Sequence, residues 1–289
     1  NIVTGLLVCL LSSCNDFLDE ENRSNLGPDY FSTPQGVRDG LTAAYAGLRN
    51  FYGPEEGLEA FTVAGTDEFA MARSGARVKD IANYTTSYTS TNEVSKYIWN
   101  NAYRWINTCN GLVDYGTDMT GLSDTEKKGL LAEARFLRAF YYFNLVKLFG
   151  DVTLNKNFYN SPSTSSERNS AADVYDFIIE DLKVAATDLP ASPSAVDPGK
   201  ASGATAKHLL AKVYLTRGYK SYAHADDFKN ALEVASGLIG EASSIGLALL
   251  DDYADVFKTG NENNAEVLLS VQYSSDKTFG SSHPMNHVF

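Results

Sequence analysis

The sequence "EARFLRAFYYFNLVKLFGDVTL" occupies residues 133–154 and carries apolar and aromatic side chains at intervals of three and four. This spacing is typical of an α-helix with a buried face. Upstream, Ser123 and Glu126 have the spacing of a capping box, in which two side chains satisfy free amides at the start of a helix. Gly150 is suited to the backbone conformation that ends a helix. The pattern therefore predicts one long helix that begins after Ser123 and ends at Gly150.

The charged residues of this helix are expected to be structural. Arg135 and Arg138 are three residues apart, so their side chains share one face of the helix. On that face they could pair with acidic residues of a neighbouring helix. We expect these two arginines and Glu133 to hold the fold together rather than to bind a ligand.

Other segments have the same helical period, and strand signal is scarce. These segments are "TPQGVRDGLTAAYAGLRN" from Thr33, "STNEVSKYIWNNAYRWINTCNGLV" from Ser90, "SAADVYDFIIEDLKVAATDLP" from Ser170, "ATAKHLLAKVYLTRG" ending at Gly218 and "DDFKNALEVASGLIG" ending at Gly240. Ser90 and Glu93 are spaced as a second capping box. The best strand candidate is "AEVLLSVQY" at residues 265–273. The sequence predicts a mainly α fold with long irregular loops and little strand.

Two of the predicted helix pairs look related. Aligning Gly150 with Gly218 places "YYFNLVKLFG" over "LLAKVYLTRG", and an amphipathic helix follows each. The second pair resembles one tetratricopeptide unit, a repeat in which stacked helix pairs bury faces that they cannot bury alone. The predicted fold is therefore a tetratricopeptide-like array of helices, with a plain helical bundle as the alternative.

The chain begins with an apolar run in "LLVCLLSSCNDFLDEEN", residues 6–22. A membrane-spanning helix needs about 20 apolar residues, whereas a shorter run that ends in small residues is typical of a secretory signal. The residues Leu-Ser-Ser-Cys at 11–14 resemble the lipobox of bacterial lipoproteins. The resemblance implies that residues 1–13 are a signal peptide and that Cys14 is acylated and becomes the mature N-terminus. The alternative is that Cys14 is a buried cysteine in a short hydrophobic segment.

The segment after the lipobox is acidic, and we expect residues 14–32 to form a tether and N-terminal segment. No Lys or Arg precedes Cys14 and the chain does not begin with Met, so we expect the native N-terminus to lie a few residues upstream. Cys109 occupies an apolar position of a predicted helix and is expected to pack as a small hydrophobe. The cysteines therefore predict neither a disulfide framework nor a metal motif.

Charge and motifs exclude several functions. The net charge is −12 and no basic stripe is present, which argues against nucleic-acid binding. No nucleophile elbow, zinc-protease motif or phosphate loop occurs. Asp67 and Glu68 are adjacent, and adjacent carboxylates rarely flank a glycosidic bond. Pro284 lies between His283 and His287, which argues against a helical metal pair. We expect no enzyme activity, no cofactor and no metal.

The segment "GTDEFAMARSGARVKDIANYTTSYTS", residues 65–90, has no sustained period. A loop this long within a domain is usually functional or disordered. Its tyrosines and arginines argue against disorder. Aromatic faces stack on the C–H surfaces of sugars, and Asp, Asn or Arg bind sugar hydroxyls. Residues 65–104 supply both kinds of side chain, and they are therefore the candidate ligand-binding region.

Several motifs together resemble the SusD/RagB family, outer-membrane lipoproteins of Bacteroidetes. They are "SCNDFLDEE", "YFSTPQGVRDGLTAAYAGLRN", "TDEF" at 66–69, "WNNAYRWINTCNGLV" at 99–113, "EARFLRAFYYFNLVKLFGDVTL", "ATAKHLLAKVYLTRG" and "NNAEVLLSVQY". They occur in the family's order and cover nearly the whole chain. The resemblance implies a SusD-like helical domain over 33–289. Family members are usually longer, so we expect the C-terminal part of the fold to be absent from this chain.

The resemblance also implies a function. Family members are anchored at the cell surface, where they capture glycans above a SusC-type TonB-dependent outer-membrane transporter and do no chemistry on them. Some branches bind peptides, so a RagB-like peptide- or protein-binding member, or a scaffold without a small ligand, is the alternative. The resemblance places a ligand-contacting acid at Asp67, whereas Trp99 matches a position that favours core packing. The full set of candidate glycan-binding residues is Asp67, Arg77, Tyr84, Tyr88, Trp99 and Asn101.

Overall fold

A computed structural model describes residues 27–53, 57–68, 78–163, 165–193 and 197–273. Helices account for the regular structure of this part of the chain, as the sequence predicts. They are α1 (Pro34–Ala46), α2 (Leu48–Phe51), α3 (Glu59–Thr62), α4 (Lys79–Ala82), α5 (Glu93–Gly116), α6 (Asp124–Phe149), α7 (Ala171–Asp188), α8 (Gly203–Gly218), α9 (Asp227–Glu241) and α10 (Tyr253–Val256), with 3₁₀ helices at Pro28–Ser32 and Ala242–Ile245.

Polar side chains fix where the long helices begin. The Thr33 hydroxyl accepts the amide of Gly36 at 3.0 Å, with Pro34 in the first turn of α1. The predicted capping box of α6 is confirmed, because Ser123 accepts the amide of Glu126 and Glu126 accepts the amide of Ser123. Gly150 ends α6 with φ +70°, a conformation that costs other residues energy.

The predicted start of α5 is wrong. Asn92 caps this helix in place of Ser90, and its side-chain oxygen accepts the amide of Val94 at 3.0 Å. Glu93 is already in the first turn, where it pairs with Lys96 at 2.9 Å. Asparagine caps a helix as well as serine does, and the cap here is Asn92, which lies nearer to Val94, the first buried residue of α5.

The long helices pack in chain order, with α6 against α5 and α7, α7 against α8, and α8 against α9. This sequential contact is the arrangement expected of stacked helix pairs. Helix α6 is the central element, and Phe136, Leu137, Tyr141 and Tyr142 are almost completely buried along it. The Tyr141 hydroxyl donates to the carbonyl oxygen of Ala44 at 2.7 Å, which satisfies its polar end inside the core. Helix α1 and the first 3₁₀ helix cover α5.

The predicted structural role of the two arginines of α6 is confirmed. Both bind Asp181 of α7, Arg135 at 3.0 Å and Arg138 through two hydrogen bonds of 2.7 and 2.9 Å. Cys109 is fully buried in the core, and this burial raises the pKa of its thiol to about 12. Cys109 therefore packs as a small hydrophobe, as predicted.

The segment 265–273 is not a strand. The described residues contain no β-strand, and their one isolated bridge joins Val152 to Asn169. Leu269 and Val271 pack against the helical core instead, and the Thr205 hydroxyl donates to the carbonyl oxygen of Leu268 at 2.9 Å. The alternating apolar pattern thus belongs to a segment without regular secondary structure that lies on the helical core rather than beside another strand.

Candidate functional site

The aromatic ring of Tyr84 is presented to solvent and held at one edge. The side chain is 81% exposed, yet its hydroxyl donates to the carbonyl oxygen of Gly65 at 3.0 Å. The Tyr84 backbone has φ +51°, which a bulky residue seldom adopts. A Cβ atom on Gly65, which itself has φ +85°, would lie 3.2 Å from two ring carbons of Tyr84. Glycine at position 65 therefore lets the ring lie close to the backbone.

The loop that follows Tyr84 is fastened to the short helix α4 and to α5. The Thr85 hydroxyl donates to a carboxylate oxygen of Asp80 at 2.7 Å, and the Thr85 amide donates to the Asp80 carbonyl at 3.1 Å. Tyr88 is 42% exposed and shares a hydrogen bond of 3.0 Å with the hydroxyl of Ser95. Both tyrosines thus expose much of their rings while their hydroxyls are fixed.

A surface cavity of about 610 Å³ lies along the same loop. It is lined by Asp80, Ser87, Thr89, Thr91, Asn92 and Glu93. The hydroxyls of Thr89 and Thr91 are 2.9 Å apart, and the hydroxyl of Thr89 also accepts the amide of Thr91. These side chains offer carboxylate, amide and hydroxyl groups, which bind sugar hydroxyls well. The sequence analysis did not select this cavity, although the run "TTSYTSTN" at 85–92 is unusually rich in hydroxyls.

The other candidates lie in different surroundings. Asp67 is exposed on the segment that carries Gly65, and Arg77 lies outside the described residues. Trp99 is half-buried, with ring contacts to Phe149 at 5.2 Å and to Tyr103 at 4.9 Å, which is a packing arrangement.

Asn101 is also engaged locally, because its side-chain nitrogen donates to the carbonyl oxygen of Tyr97 one turn earlier in α5. The structure therefore joins Tyr84 and Tyr88 on one loop beside a polar cavity. It gives Trp99 and Asn101 packing and helix contacts, and their role as ligand contacts stays a prediction.

This arrangement is suited to binding. Exposed rings with a few polar groups beside them can stack on a sugar face and hydrogen-bond its hydroxyls. Within the described ranges, no group of three or more His, Cys, Asp or Glu residues could hold a metal ion. In the same ranges, no helix has both the length and the hydropathy needed to cross a membrane.

The fold and the loop together define a helical-repeat protein with a surface suited to polar ligands. A family model described as "Starch-binding associating with outer membrane" matches residues 16–215, which is more than half of the chain. The chain belongs to this SusD-like family, and the prediction of that family from the sequence motifs is confirmed. The family is described by binding rather than by a reaction, which agrees with the expectation of a binding protein and not an enzyme.

Individual relatives agree on the fold. The SusD-like protein P25 of Formosa agariphila is 27% identical over 288 residues, which cover 95% of this chain and 52% of the relative. A laminarin-binding SusD-like protein of known structure has a TM-score of 0.72 at 28% identity, over 82% of this chain and 50% of that one. A crystal structure with xylogluco-oligosaccharide has a TM-score of 0.63 at 27% identity, over 81% and 46% of the two chains.

The predicted tetratricopeptide-like fold with little strand is confirmed by these structural matches. The chain spans about half the length of the relatives it matches. The laminarin-binding relative therefore has about as many residues outside the matched part as within it.

Proposed function

We propose that the protein is a non-catalytic cell-surface lipoprotein that captures glycans and delivers them to a SusC-type TonB-dependent transporter in the outer membrane. Family membership supports binding and an outer-membrane setting. Two structural relatives are described with laminarin and with a xylogluco-oligosaccharide, which supports a glycan as the class of ligand.

The observation that carries the proposal within this chain is the Tyr84 ring, which is fixed on Gly65 and open to solvent, on a loop whose later residues line a polar cavity. Tyr84 and Tyr88 would stack on sugar rings, while Asp67 and the hydroxyls of the cavity would bind sugar hydroxyls. Stacking on one aromatic ring contributes on the order of 1 kcal/mol, about fivefold in Kd. Affinity between millimolar and micromolar would suit a protein that must release its cargo to a transporter.

Binding of laminarin and of xyloglucan oligosaccharides, measured by calorimetry with the purified protein, tests the site. Tyr84→Ala, Tyr88→Ala and Asp67→Ala should each weaken binding, the tyrosine variants about fivefold. Tyr159→Ala is a matched control, because Tyr159 is 50% exposed on another loop that is fixed by Asn107. Normal binding by all three loop variants, while they remain folded, would contradict the site. Binding of a peptide instead would favour the RagB-like alternative.

The proposed anchor is Cys14, which lies outside the described residues. One acyl chain gives only marginal membrane attachment, whereas several chains on one cysteine give stable anchoring, because each buried methylene contributes about 0.8 kcal/mol. The Cys14→Ser variant, expressed with its native leader, should appear in the soluble fraction and incorporate no labelled palmitate. Continued palmitate incorporation by this variant would show that the modified residue lies elsewhere.

A further inference from the structure

The cavity along the candidate loop is lined by hydrogen-bond acceptors and carries negative charge. Its lining consists of two carboxylates, three hydroxyls and one side-chain amide, on Asp80 and Glu93, on Ser87, Thr89 and Thr91, and on Asn92. The described residues that line it include no Lys, Arg or His. A carboxylate only accepts hydrogen bonds, whereas a hydroxyl donates or accepts them. The cavity is therefore suited to a ligand that brings many donors and no negative charge.

Asp80 is held in a fixed orientation at this cavity. One of its carboxylate oxygens, Oδ1, accepts the Thr85 hydroxyl at 2.7 Å, and its backbone carbonyl accepts the Thr85 amide at 3.1 Å. Asp80 takes part in no ion pair with another described residue. The residue is partly buried, so solvent and salt screen its charge less than that of a fully exposed carboxylate. Asp80 thus presents an unneutralised negative charge to the cavity.

The other charges around the loop reinforce this sign. Glu93 is paired with Lys96 at 2.9 Å, so its charge is partly offset, and Lys96 does not line the cavity. Asp67 and Glu68 are exposed on the segment whose Gly65 carbonyl accepts the Tyr84 hydroxyl. Both therefore add negative charge to the side of the loop on which the Tyr84 ring is fixed.

We propose that Asp80 contacts the ligand and makes the loop site selective for uncharged glycans over glycans that carry carboxylate or sulfate groups. This inference rests on the proposed glycan-binding function and names the class of glycan. Hydroxyls of a neutral sugar would donate to Oδ2 of Asp80 in charge-assisted hydrogen bonds. A carboxylate or sulfate at the same place would meet a like charge, and such a contact excludes a ligand as effectively as a steric clash.

A matched pair of polysaccharides tests this selectivity. The two probes are laminarin and laminarin whose primary hydroxyls have been oxidised to carboxylates, which share their linkages and differ in charge. Binding of both to the purified protein is measured by calorimetry at about 10 mM and about 1 M ionic strength, where the Debye length is about 30 and 3 Å. At low salt, laminarin should bind at least about fivefold more tightly than the oxidised form, because one like-charge contact at about 4 Å costs that factor even in water. At high salt the ratio of the two Kd values should shrink.

Two variants separate Asp80 from the overall charge of the protein. Asp80→Asn keeps an oxygen that can accept the Thr85 hydroxyl but removes the charge. It should weaken laminarin binding and reduce the ratio of the two Kd values to about twofold or less. Glu180→Gln is the matched control, because Glu180 is exposed on α7 and does not line the cavity. It removes one charge from a protein of net charge −12 and should leave the ratio unchanged.

The outcomes distinguish this inference from the proposed function. Equal affinity for the two probes, or tighter binding of the oxidised form, would overturn the selectivity and leave glycan capture intact. An equal fall of the ratio in Asp80→Asn and Glu180→Gln would also overturn it, because net charge rather than Asp80 would then set the preference. Binding of neither probe would overturn the proposed function itself, and this inference with it.

Discussion

Arg138 of α6 and Asp181 of α7 form a two-point ion pair in the buried interface between their helices. The Nε–Oδ2 distance is 2.7 Å and the Nη2–Oδ1 distance is 2.9 Å, and the two side chains are 3% and 1% exposed. Nη1 of Arg138 also donates to the side-chain oxygen of Asn110 at 2.9 Å. Burial alone would lower the pKa of Arg138, but the hydrogen bonds and charge of Asp181 outweigh it and raise that pKa.

Breaking this pair should destabilise the fold strongly. Asp181→Asn leaves the Arg138 guanidinium buried without a counter-charge, and we expect a loss of about 3–5 kcal/mol in the free energy of unfolding, measured with urea. Arg135→Ala is the matched control. Arg135 binds the same carboxylate through one bond and is 32% exposed, so its loss should cost about 1 kcal/mol.

The double variant Arg138→Met with Asp181→Leu makes the test sharper. It removes both charges and should recover part of the stability lost by Asp181→Asn. The reason is that a buried ion pair stabilises a fold little more than well-packed apolar side chains of similar volume do. A loss below about 1 kcal/mol for Asp181→Asn would contradict the view that this pair holds α6 and α7 together.

The start of α5 gives a second prediction. Asn92→Ala removes the side chain that accepts the Val94 amide and should cost about 1 kcal/mol in the free energy of unfolding. Ser90→Ala should change it by less than about 0.5 kcal/mol, because Ser90 is exposed and does not cap the helix. Urea denaturation of both variants measures the difference. Equal losses would mean that the cap is shared between the two residues.

The helices were predictable because their signals are local. The capping box of α6, the cap of α1 at Thr33 and the end at Gly150 each depend on residues within one turn. Even so, Ser90 and Asn92 are both suitable caps two residues apart. The prediction from the sequence named Ser90, whereas the helix is capped by Asn92. The pairing of Arg135 and Arg138 with a neighbouring helix was also predictable, although the identity of Asp181 was not.

Features that depend on distant contacts were harder to predict. Residues 265–273 alternate like a strand, but a neighbouring strand is required to make one, and among the described residues the segment lies on helices instead. Tyr84 and Tyr88 were selected because they lie in a long aperiodic loop with aromatic and charged side chains, at a place where the family resemblance implies ligand contacts. The contact between Tyr84 and Gly65 spans 19 positions, and both residues have positive φ, which no local motif signals.

Glu133 predicts a dependence of stability on pH. Among the described residues, its buried Oε2 atom has no hydrogen-bond partner. Burial raises the pKa of Glu133 above the ordinary 4.5, and the hydrogen bond of Tyr45 lowers it only in part. Between the ordinary and the raised pKa, the folded protein keeps a proton that the unfolded chain has released. The free energy of unfolding contributed by this group therefore falls as pH rises through that interval.

Replacing the carboxyl group should remove this dependence. Relative to the unmodified protein, Glu133→Gln should gain stability as pH rises above 4.5, with the difference levelling off above the raised pKa. Urea denaturation at a series of pH values measures the difference. Glu93→Gln is a control on an exposed carboxylate. A difference between Glu133→Gln and the unmodified protein that does not vary with pH would contradict a raised pKa.

The last prediction concerns Gly65, the residue on which the Tyr84 ring rests. In Gly65→Ala, the new methyl group would approach the Tyr84 ring to 3.2 Å and the Tyr84 hydroxyl to 3.1 Å, so the ring must move. The variant should also lose about 1 kcal/mol of stability, because alanine is strained at φ +85°. If the fixed ring stacks on a sugar, laminarin affinity should fall about fivefold, as in Tyr84→Ala.

Gly121→Ala separates the two effects of this change. Gly121 has φ +87°, yet no atom lies within 4 Å of a Cβ at that position. It should therefore lose stability to a similar extent while binding laminarin normally in calorimetry. If Gly121→Ala weakens binding as much as Gly65→Ala, the loss reflects general stability rather than ring position. If Gly65→Ala binds normally while Tyr84→Ala does not, the ring reaches the sugar without support from Gly65, and the contact between the two residues serves only the loop.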